Sequence, residues 1–175
     1  MRETPKLDLI PKMNLKKNIV NSIIITIIFL IDRLSKVYIL NLTELNNGLD
    51  IYVNPYLNFY LIWNKGIAFG LLSFDTDIMY NLISILIALI CVIIFITLIK
   101  SRGLMKYSLM SVFGGAISNL FDRLYYSAVP DFIDIHLNNY HWFIFNVADI
   151  FITIGVISMI YAEIFLKKGS DEKIF

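Results

Sequence analysis

The chain has 175 residues, of which 58% are hydrophobic and only 17% are charged, and its mean hydropathy is +0.71. A soluble fold this short leaves about a third of its unfolded surface in contact with water, so it has too little interior for this much apolar surface. The net charge of +1, without a basic stripe, argues against a nucleic-acid-binding protein, and the single Cys91 excludes a disulfide framework and a zinc cluster of cysteines. The composition therefore indicates a single integral membrane domain over residues 1–175.

Four stretches without Asp, Glu, Lys or Arg are the starting points for membrane helices, and a spanning helix needs about 20 residues. They contain 14, 22, 15 and 13 residues: Asn18–Ile31, Ile78–Ile99, Tyr107–Phe121 and Ile150–Ala162. Only the second is long enough alone, so the other three must carry charged residues into the bilayer. Extending the runs predicts transmembrane helices at about 19–42, 79–99, 107–126 and 142–166, with extracytoplasmic loops at 43–78 and 127–141.

Basic residues set the orientation of these helices, because cytoplasmic loops carry more Lys and Arg. Eleven of them lie before helix 1, between helices 2 and 3 or after helix 4, whereas the other two connections contain only Lys65. We therefore expect both termini in the cytoplasm. The N-terminal basic region and apolar run also resemble a signal peptide, but no A-x-A cleavage site follows, so we interpret them as a retained first helix.

The first external loop is too long to be a simple connector. Within it, Ile51–Asn64 contains no charged residue but is interrupted by Asn54, Pro55 and Asn58. Its aromatic residues favour β-strands at the level of the lipid headgroups, and a re-entrant segment is the alternative. The predicted fold class is an all-α membrane protein, a four-transmembrane-helix bundle with a small extracytoplasmic β-containing region between helices 1 and 2.

Three aspartates enter different helices at one depth. At about 1.5 Å per residue, Asp32, Asp122 and Asp149 lie roughly 20–26 Å from the cytoplasmic side, which is the outer third of a hydrocarbon core about 30 Å thick. Polar residues three or four positions apart share a helix face, and such sets must face the bundle interior because lipid cannot satisfy them. The sets are Asp32 with Lys36, Asn119 with Asp122 and Arg123, and Asn146 with Asp149. The alternative is a structural role, with Asp32–Lys36 and Asp122–Arg123 as internal ion pairs.

Small residues on the third helix indicate where a neighbour packs against it. Gly114, Gly115 and Ser118 lie about one turn below the polar set of that helix. Because these residues have little or no side chain, they let another helix backbone approach closely.

Two aspartates have no basic neighbour in sequence to neutralise them. Asp149 has no Lys or Arg within four positions, and Asp131 follows helix 3 on a segment able to fold back over the mouth of the bundle. Two carboxylates in contact cannot both ionise, so one keeps a proton while the other activates a water, as in aspartic proteases. The alternative for Asp131 is a solvated loop acid.

Other catalytic classes lack their residues here. The sequence contains no H-E-x-x-H of a zinc metalloprotease and no G-x-S-x-G of a serine hydrolase. His136 and His141, with Asp131 and Asp134, are residue types that bind metals. We interpret them as polar residues at the outer interface and expect no metal. Carboxylates are then the remaining candidates for catalytic groups.

Four segments match a known pattern in order along the chain. They are Asp32-x-x-x-Lys36; Asn64–Gly70, which is similar to N-x-G-x-A-F; Gly114–Arg123 with Val129–Phe132; and Phe145–Asp149 with Ile152 and Gly155. Together they resemble the signatures of the lipoprotein signal peptidase (signal peptidase II) family. The resemblance covers about residues 19–166, and four motifs in register are specific.

The resemblance implies an intramembrane aspartic endopeptidase of the bacterial inner membrane, with its active site toward the outer face and Asp131 and Asp149 as the catalytic dyad. It implies structural roles for Asp32 and Lys36. Its supporting or substrate-binding positions are Asn64, Gly66, Ala68, Phe69, Asn119, Asp122, Arg123 and Asn146. The implied substrate is a prolipoprotein carrying diacylglycerol on its lipobox cysteine, cut just before that cysteine. No cofactor is implied, and we expect a monomer surrounded by membrane phospholipid.

Two serines depart from the family pattern, which usually has Gly at both positions. Ser118 is small enough for close helix packing. Ser127 replaces a residue expected to need a positive φ, a conformation that is costly without Gly.

Two other function classes remain open. A proton-coupled transporter would also bury Asp32, Asp122 and Asp149 in one cavity. It would need a polar path to the cytoplasmic side, and the inner halves of the predicted helices carry almost no polar groups. A structural membrane subunit would account for the packing face but predicts that Asp-to-Asn changes are silent.

Overall fold

The computed structural model describes residues 15–46, 48–66, 77–138 and 140–166. Within these ranges, four helices flank one antiparallel sheet. In chain order the elements are α1 (Leu15–Leu45), β1 (Asp50–Asn54), β2 (Leu57–Asn64), α2 (Asp77–Lys100), α3 (Gly103–Tyr126), β3 (Val129–Leu137), β4 (Tyr140–Phe145) and α4 (Val147–Tyr161), which continues as a π-helical turn at Ala162–Leu166.

The predicted all-α bundle, with β-structure only between helices 1 and 2, is wrong. The strands form one four-stranded antiparallel sheet in the order β1-β2-β3-β4. Strand β2 pairs directly with β3, although helices α2 and α3 lie between them in the sequence. Both β3 and β4 come from residues that the sequence assigned to the second external loop or to the start of helix 4. That helix begins at Val147, not at 142. The apolar strand Tyr140–Phe145 runs almost directly into it, and a short apolar run does not reveal its own secondary structure.

The number of predicted membrane-spanning helices is also corrected. Two of the described helices are long and apolar enough to cross a membrane, Ile78–Lys100 and Val147–Phe165. The other two carry charged residues at mid-length or beyond, which lower their hydropathy. On α2, large side chains such as Leu89 and Ile93 are exposed, as expected for a surface that faces lipid.

Glycines allow α3 to approach its neighbours, and the prediction of small-residue packing is confirmed. A Cβ added to Gly115 would lie 2.5 Å from the carbonyl oxygen of Ala148, and one added to Gly114 would lie 2.8 Å from Cγ2 of Ile28. At Gly115, no side chain fits so close to a backbone oxygen. The start of α4 is therefore held directly against the middle of α3.

Helix α3 ends in a left-handed residue that redirects the chain into β3. Ser127 caps the helix with φ 55° and ψ 24°, so the expectation of a positive φ at this position is confirmed. An L-residue other than Gly pays roughly 1–2 kcal/mol in this conformation. The reversal starts β3 at Val129, two residues later.

An apolar cluster fixes the sheet against α1. Ile39 of α1, Leu49 before β1 and Phe132 of β3 are each 3–5% exposed and pack together. Burying a side chain of this size stabilises the fold by about 1.5–3 kcal/mol. The cluster therefore fixes the position of Asp131, the neighbour of Phe132, relative to α1.

Candidate active site

Asp131 is buried on β3 between two asparagine amides. Its exposure is only 3%. Nδ2 of Asn64, at the end of β2, donates to Oδ2 of Asp131 at 2.8 Å, and Nδ2 of Asn146 donates to Oδ1 at 2.6 Å. Both carboxylate oxygens therefore accept a hydrogen bond, one from each side of β3.

Asn146 joins Asp131 to the start of α4. Its Oδ1 accepts a hydrogen bond from the backbone N–H of Asp149 at 3.2 Å, while Oδ2 of Asp149 accepts one from the backbone N–H of Asn146 at 3.2 Å. This reciprocal capping box satisfies two N–H groups that a helix start leaves without partners, and it orients the Asp149 carboxylate. Because Oδ1 of Asn146 is engaged by the helix, its Nδ2 is free to donate to Asp131. One side chain thus contacts both aspartates.

The electrostatic environment of Asp131 favours a proton. Burial, and to a lesser extent the negative charge of Asp149, raise the pKa of Asp131 to about 7, while the amides of Asn64 and Asn146 oppose the rise. A carboxyl group with a pKa near 7 gains and loses its proton near neutral pH, as general acid–base catalysis requires.

Lys36 is fully buried and connects α1 to α3. Its Nζ lies 2.6 Å from Oδ2 of Asp32, 2.6 Å from Oδ2 of Asp122 and 2.8 Å from Oδ1 of Asn119. The predicted i,i+4 pair of Asp32 with Lys36 is therefore present. Nδ2 of Asn119 in turn donates to Oδ1 of Asp149 at 2.9 Å. The contacts lead from α1 through α3 to the start of α4.

Asp32 also contacts the start of α4. Its Oδ1 accepts a hydrogen bond from the backbone N–H of Ala148 at 2.7 Å, and its Oδ2 accepts one from Oγ of Ser118 at 2.6 Å. A carboxylate is favourable at this point because the N-terminus of a helix has unpaired N–H groups and a partial positive charge. Sequence reasoning missed both contacts and treated Ser118 only as a small packing residue.

The ion pairs of Asp122 differ from those predicted. The sequence paired it with Arg123, but its partners in the described part of the chain are Lys36 and Arg33. Adjacent residues on a helix point in different directions, which explains the difference. Arg33 was missed, although an arginine beside Asp32 within an apolar helix is a signal that could have identified it.

Arg123 instead holds the residues that follow β2. Its guanidinium donates to the carbonyl oxygen of Gly66, and the N–H of Gly66 donates to Oδ1 of Asn64 at 2.8 Å. This contact orients Asn64, whose amide reaches Asp131. Ala68 and Phe69, predicted from the same segment, lie outside the described residues.

All predicted site residues that the structure describes belong to one hydrogen-bonded network. It contains two carboxylates, Asp131 and Asp149, whose oxygens face amides rather than cations. The cations of the network contact other groups: Lys36 and Arg33 pair with Asp32 and Asp122, and Arg123 donates to the carbonyl oxygen of Gly66. This arrangement allows one carboxyl group to hold a proton while the other accepts one.

The match to a protein family covers most of the chain. Residues 24–165 match the family described as signal peptidase (SPase) II. The lipoprotein signal peptidase of Pelagibacter ubique (strain HTCC1062) is 50% identical over 163 residues, which are 93% of this chain and 98% of that protein. The lipoprotein signal peptidase of Anaplasma phagocytophilum (strain HZ) is 39% identical over 158 residues, covering 90% and 98% of the two chains.

Solved structures with a similar fold come from bacterial membrane enzymes determined by the in meso method. The structure at 2.3 Å resolution has a TM-score of 0.66 and 27% identity, covering 87% of this chain and 90% of that chain. The structure at 1.9 Å resolution has a TM-score of 0.64 and 29% identity, covering 83% and 93%. The similarity therefore extends over most of this chain.

Proposed function

The chain belongs to the signal peptidase II family of membrane-bound aspartic peptidases, and from this premise we propose that it removes signal peptides from bacterial prolipoproteins. The observation that best supports this proposal is the position of Asn146. Its side chain donates to the buried Asp131 and caps the helix that presents Asp149. A structural membrane subunit has no need for two buried carboxylates whose partners among the described residues are amides.

In the proposed mechanism, Asp131 and Asp149 hold a water molecule between them. The ionised carboxylate takes a proton from this water while the oxygen of the water attacks the scissile carbonyl carbon. The protonated carboxyl group donates a hydrogen bond to the developing oxyanion. When the tetrahedral intermediate collapses, the C–N bond breaks and the leaving amine receives the proton. Burial raises the pKa of Asp131 to about 7, so this carboxyl group gains and loses a proton near neutral pH, and the titration belongs to the pair.

The amide network has a positioning role in this mechanism. Asn64 and Asn146 fix the two oxygens of Asp131, and Asn119 fixes Oδ1 of Asp149. Lys36 in turn orients Asn119. Rotation of either carboxylate would break at least one of these contacts, so the pair is held in one geometry before substrate arrives.

We further propose that the substrate is cut just before its diacylglyceryl-modified cysteine, at the outer face of the inner membrane. Exposed apolar side chains on α2 support a lipid-embedded enzyme, and the aromatic pair of Trp63 and Tyr126, with ring centroids 5.5 Å apart, is typical of a membrane–water interface. The acyl chains would stay in lipid while the peptide bond reaches the polar site. The distribution of basic residues supports cytoplasmic termini. A monomer suffices, because the network closes within one chain.

The test is cleavage of a synthetic peptide with a diacylglyceryl cysteine by the purified full chain in lipid vesicles, with products identified by mass spectrometry. We expect Asp131→Asn and Asp149→Asn each to lower the rate at least about a thousandfold, with unchanged circular dichroism. The control is Asp50→Asn, an exposed carboxylate at the start of β1, which should retain full activity.

Three results would contradict the proposal. Full activity of Asp131→Asn or of Asp149→Asn would exclude the mechanism with two carboxyl groups. Equally fast cleavage of the same peptide without its diacylglyceryl group would exclude lipid-modified prolipoproteins as the specific substrates. Proton flux across the vesicles without cleavage would support a transporter instead.

A further inference from the structure

Asp134, His136 and His141 meet near the turn of the β3–β4 hairpin. Their potential ligand atoms all lie within 4.8 Å of one another. Nδ1 of His141 is 2.8 and 3.0 Å from the two carboxylate oxygens of Asp134, and Nδ1 of His136 is 3.6 Å from Oδ2 of Asp134. The sequence interpretation of these residues as separate polar groups at the interface does not account for this convergence.

An irregularity in β4 places both histidines on the face that carries Asp134. Asp134 and His136 are two residues apart on β3 and therefore share a face. Pairing with β4 is regular up to Ile135, after which β4 contains one extra residue, so that His136 lies opposite His141. In a regular ladder His141 would lie opposite Leu137 and point to the other face. The bulge thus assembles the cluster.

Two buried polar atoms at the cluster have no hydrogen-bond partner among the described residues. They are Nδ1 of His136, a residue only 8% exposed, and Oδ1 of Asn58. Asn58 lies opposite Asp134 on β2, so its side chain is on the same face. Oδ1 of Asn58 has lone pairs, and Nδ1 of His136 has one in the tautomer that carries its hydrogen on Nε2. Leaving these atoms unsatisfied is unfavourable. A hydrogen bond between His141 and Asp134 satisfies neither atom, whereas a cation would satisfy lone pairs.

We propose that Asp134, His136 and His141 bind a divalent transition-metal ion of the zinc class. Two imidazole nitrogens and one carboxylate oxygen form a ligand set that suits Zn²⁺, with the fourth position open to Oδ1 of Asn58 or to water. Ligands about 2.0–2.1 Å from a tetrahedral ion lie about 3.3 Å from one another. The ligand-atom separations of 2.8 and 3.6 Å around Asp134 bracket this value. Small side-chain rotations would complete the site.

The site is accessible and distinct from the catalytic carboxylates. The side chain of His141 is 57% exposed. The neighbouring cavity of about 340 Å³ is lined by Asp50, Asn58, Tyr60, Asp134, His141 and Ile144. Asp131 lies three residues earlier on β3, about 10 Å along the strand, and is held by amides. The ion would therefore clamp β3 to β4 and stabilise the hairpin that leads from one catalytic residue to the other, without acting on the substrate.

The test uses the full chain in detergent, treated with EDTA and dialysed, then titrated with Zn²⁺ against a chromophoric chelator. We expect one Zn²⁺ per chain, and Co²⁺ at the same site should give the visible absorption of tetrahedral coordination. Mg²⁺ and Ca²⁺ should not compete, because they prefer oxygen ligands. Zn²⁺ should also raise the Tm of the wild-type chain, since an ion that binds only the folded state stabilises it.

The variants test whether the ion binds at this cluster. His141→Ala removes an exposed side chain and should fold normally, yet it should weaken Zn²⁺ binding at least about tenfold and abolish the rise in Tm. His136→Asn should weaken binding similarly, whereas Glu44→Gln, an exposed carboxylate on α1, should bind as the wild type does. Absence of stoichiometric Zn²⁺, equal affinity in His141→Ala, or loss of Zn²⁺ in Asp131→Asn alone would overturn the proposal.

Discussion

The ammonium group of Lys36 lies 2.8 Å from the side-chain oxygen of Asn119, whose amide donates to Asp149 at 2.9 Å. Its other partners are the carboxylates of Asp32 and Asp122, each at 2.6 Å. The buried ammonium group of Lys36 on α1 therefore contacts two carboxylates, with Arg33 as the second cation on Asp122, and also orients an amide at the candidate active site. We therefore expect stability and activity to depend on the same side chain.

Lys36→Met should lower the free energy of unfolding by about 3–5 kcal/mol, because it leaves two buried carboxylates with less compensation. Chemical unfolding in micelles, followed by circular dichroism, measures the effect. Lys65→Met, at an exposed position, should change stability by less than about 0.5 kcal/mol. The double variant Lys36→Met/Asp32→Asn should recover part of the loss. Wild-type stability in Lys36→Met would show that Arg33 alone suffices as the counter-ion.

Asn146→Ala should reduce both stability and activity, since Asn146 caps α4 and donates to Asp131. Loss of the cap costs about 0.5–2 kcal/mol. Asn146→Ser separates the two roles, because serine is a good cap but too short to reach Asp131. It should recover most of the unfolding free energy while cleavage stays slow. A fully active Asn146→Ser variant would show that the contact with Asp131 is dispensable.

Stability should depend on pH through Asp131. Its pKa of about 7 lies above the ordinary aspartate value of 3.8, so between these pH values the folded chain holds a proton that the unfolded chain has released. Stability therefore falls as pH rises through this window, by roughly 4 kcal/mol at most, and levels off above it. Thermal unfolding of wild type and Asp131→Asn between pH 4 and 8 measures this effect. The slope should be smaller in the variant, and identical slopes would exclude Asp131 as its source.

Asn64→Ala should move the alkaline limb of the pH–rate profile to higher pH. The amide of Asn64 lowers the pKa of Asp131, so removing the amide raises the pKa, and the dyad keeps its one proton to a higher pH. We expect a shift of up to about one pH unit in kcat/KM. Asn41→Ala, on the exposed side of α1, serves as the control and should leave the profile unchanged. A shift to lower pH would contradict the assigned hydrogen bond.

Gly115→Ala should destabilise the chain by about 1–3 kcal/mol through overpacking. The new Cβ would lie 2.5 Å from the carbonyl oxygen of Ala148, so α4 must move away from α3 and carry Asp149 with it. Gly114→Ala is the matched comparison, because its Cβ would lie 2.8 Å from Cγ2 of Ile28 but no closer than 3.4 Å to the backbone oxygen of Ile25. Unfolding and cleavage assays should both show the larger loss for Gly115→Ala. Equal losses of stability and activity in the two variants would indicate that α4 moves away from α3 at little cost in free energy.

Long apolar runs predicted most of the helices, and aromatic residues predicted the strands within Ile51–Asn64, but the second hairpin and its pairing with the first were not predicted. Helices α1, α2 and α3 lie within a few residues of their predicted bounds, because charges and glycines mark their ends. The β2–β3 pairing joins residues such as Asn64 and Val129 that are far apart in sequence. No local pattern reports such a pairing. The second hairpin was therefore taken for a loop and the start of a helix.

The candidate site was largely predictable because charged residues in apolar helices have few acceptable positions. The resemblance to family motifs identified Asp131 and Asn64 as site residues. Their hydrogen bond depends on the β2–β3 pairing, which was not predicted. The partners of the charges were harder to predict. Arg33 and Ser118 lie on faces that helical spacing alone does not connect, since the relative rotation of two helices is set by packing.

The capping box at the start of α4 links chemistry to local folding. Oδ2 of Asp149 accepts a hydrogen bond from the backbone of Asn146, and a carboxyl oxygen that takes up a proton is a poorer acceptor. In the proposed cycle, each protonation of Asp149 at this oxygen therefore loosens the first turn of its own helix, and each deprotonation tightens it again. Mutations that make this turn more rigid would make the chain more heat-resistant and, by resisting the same movement, slower.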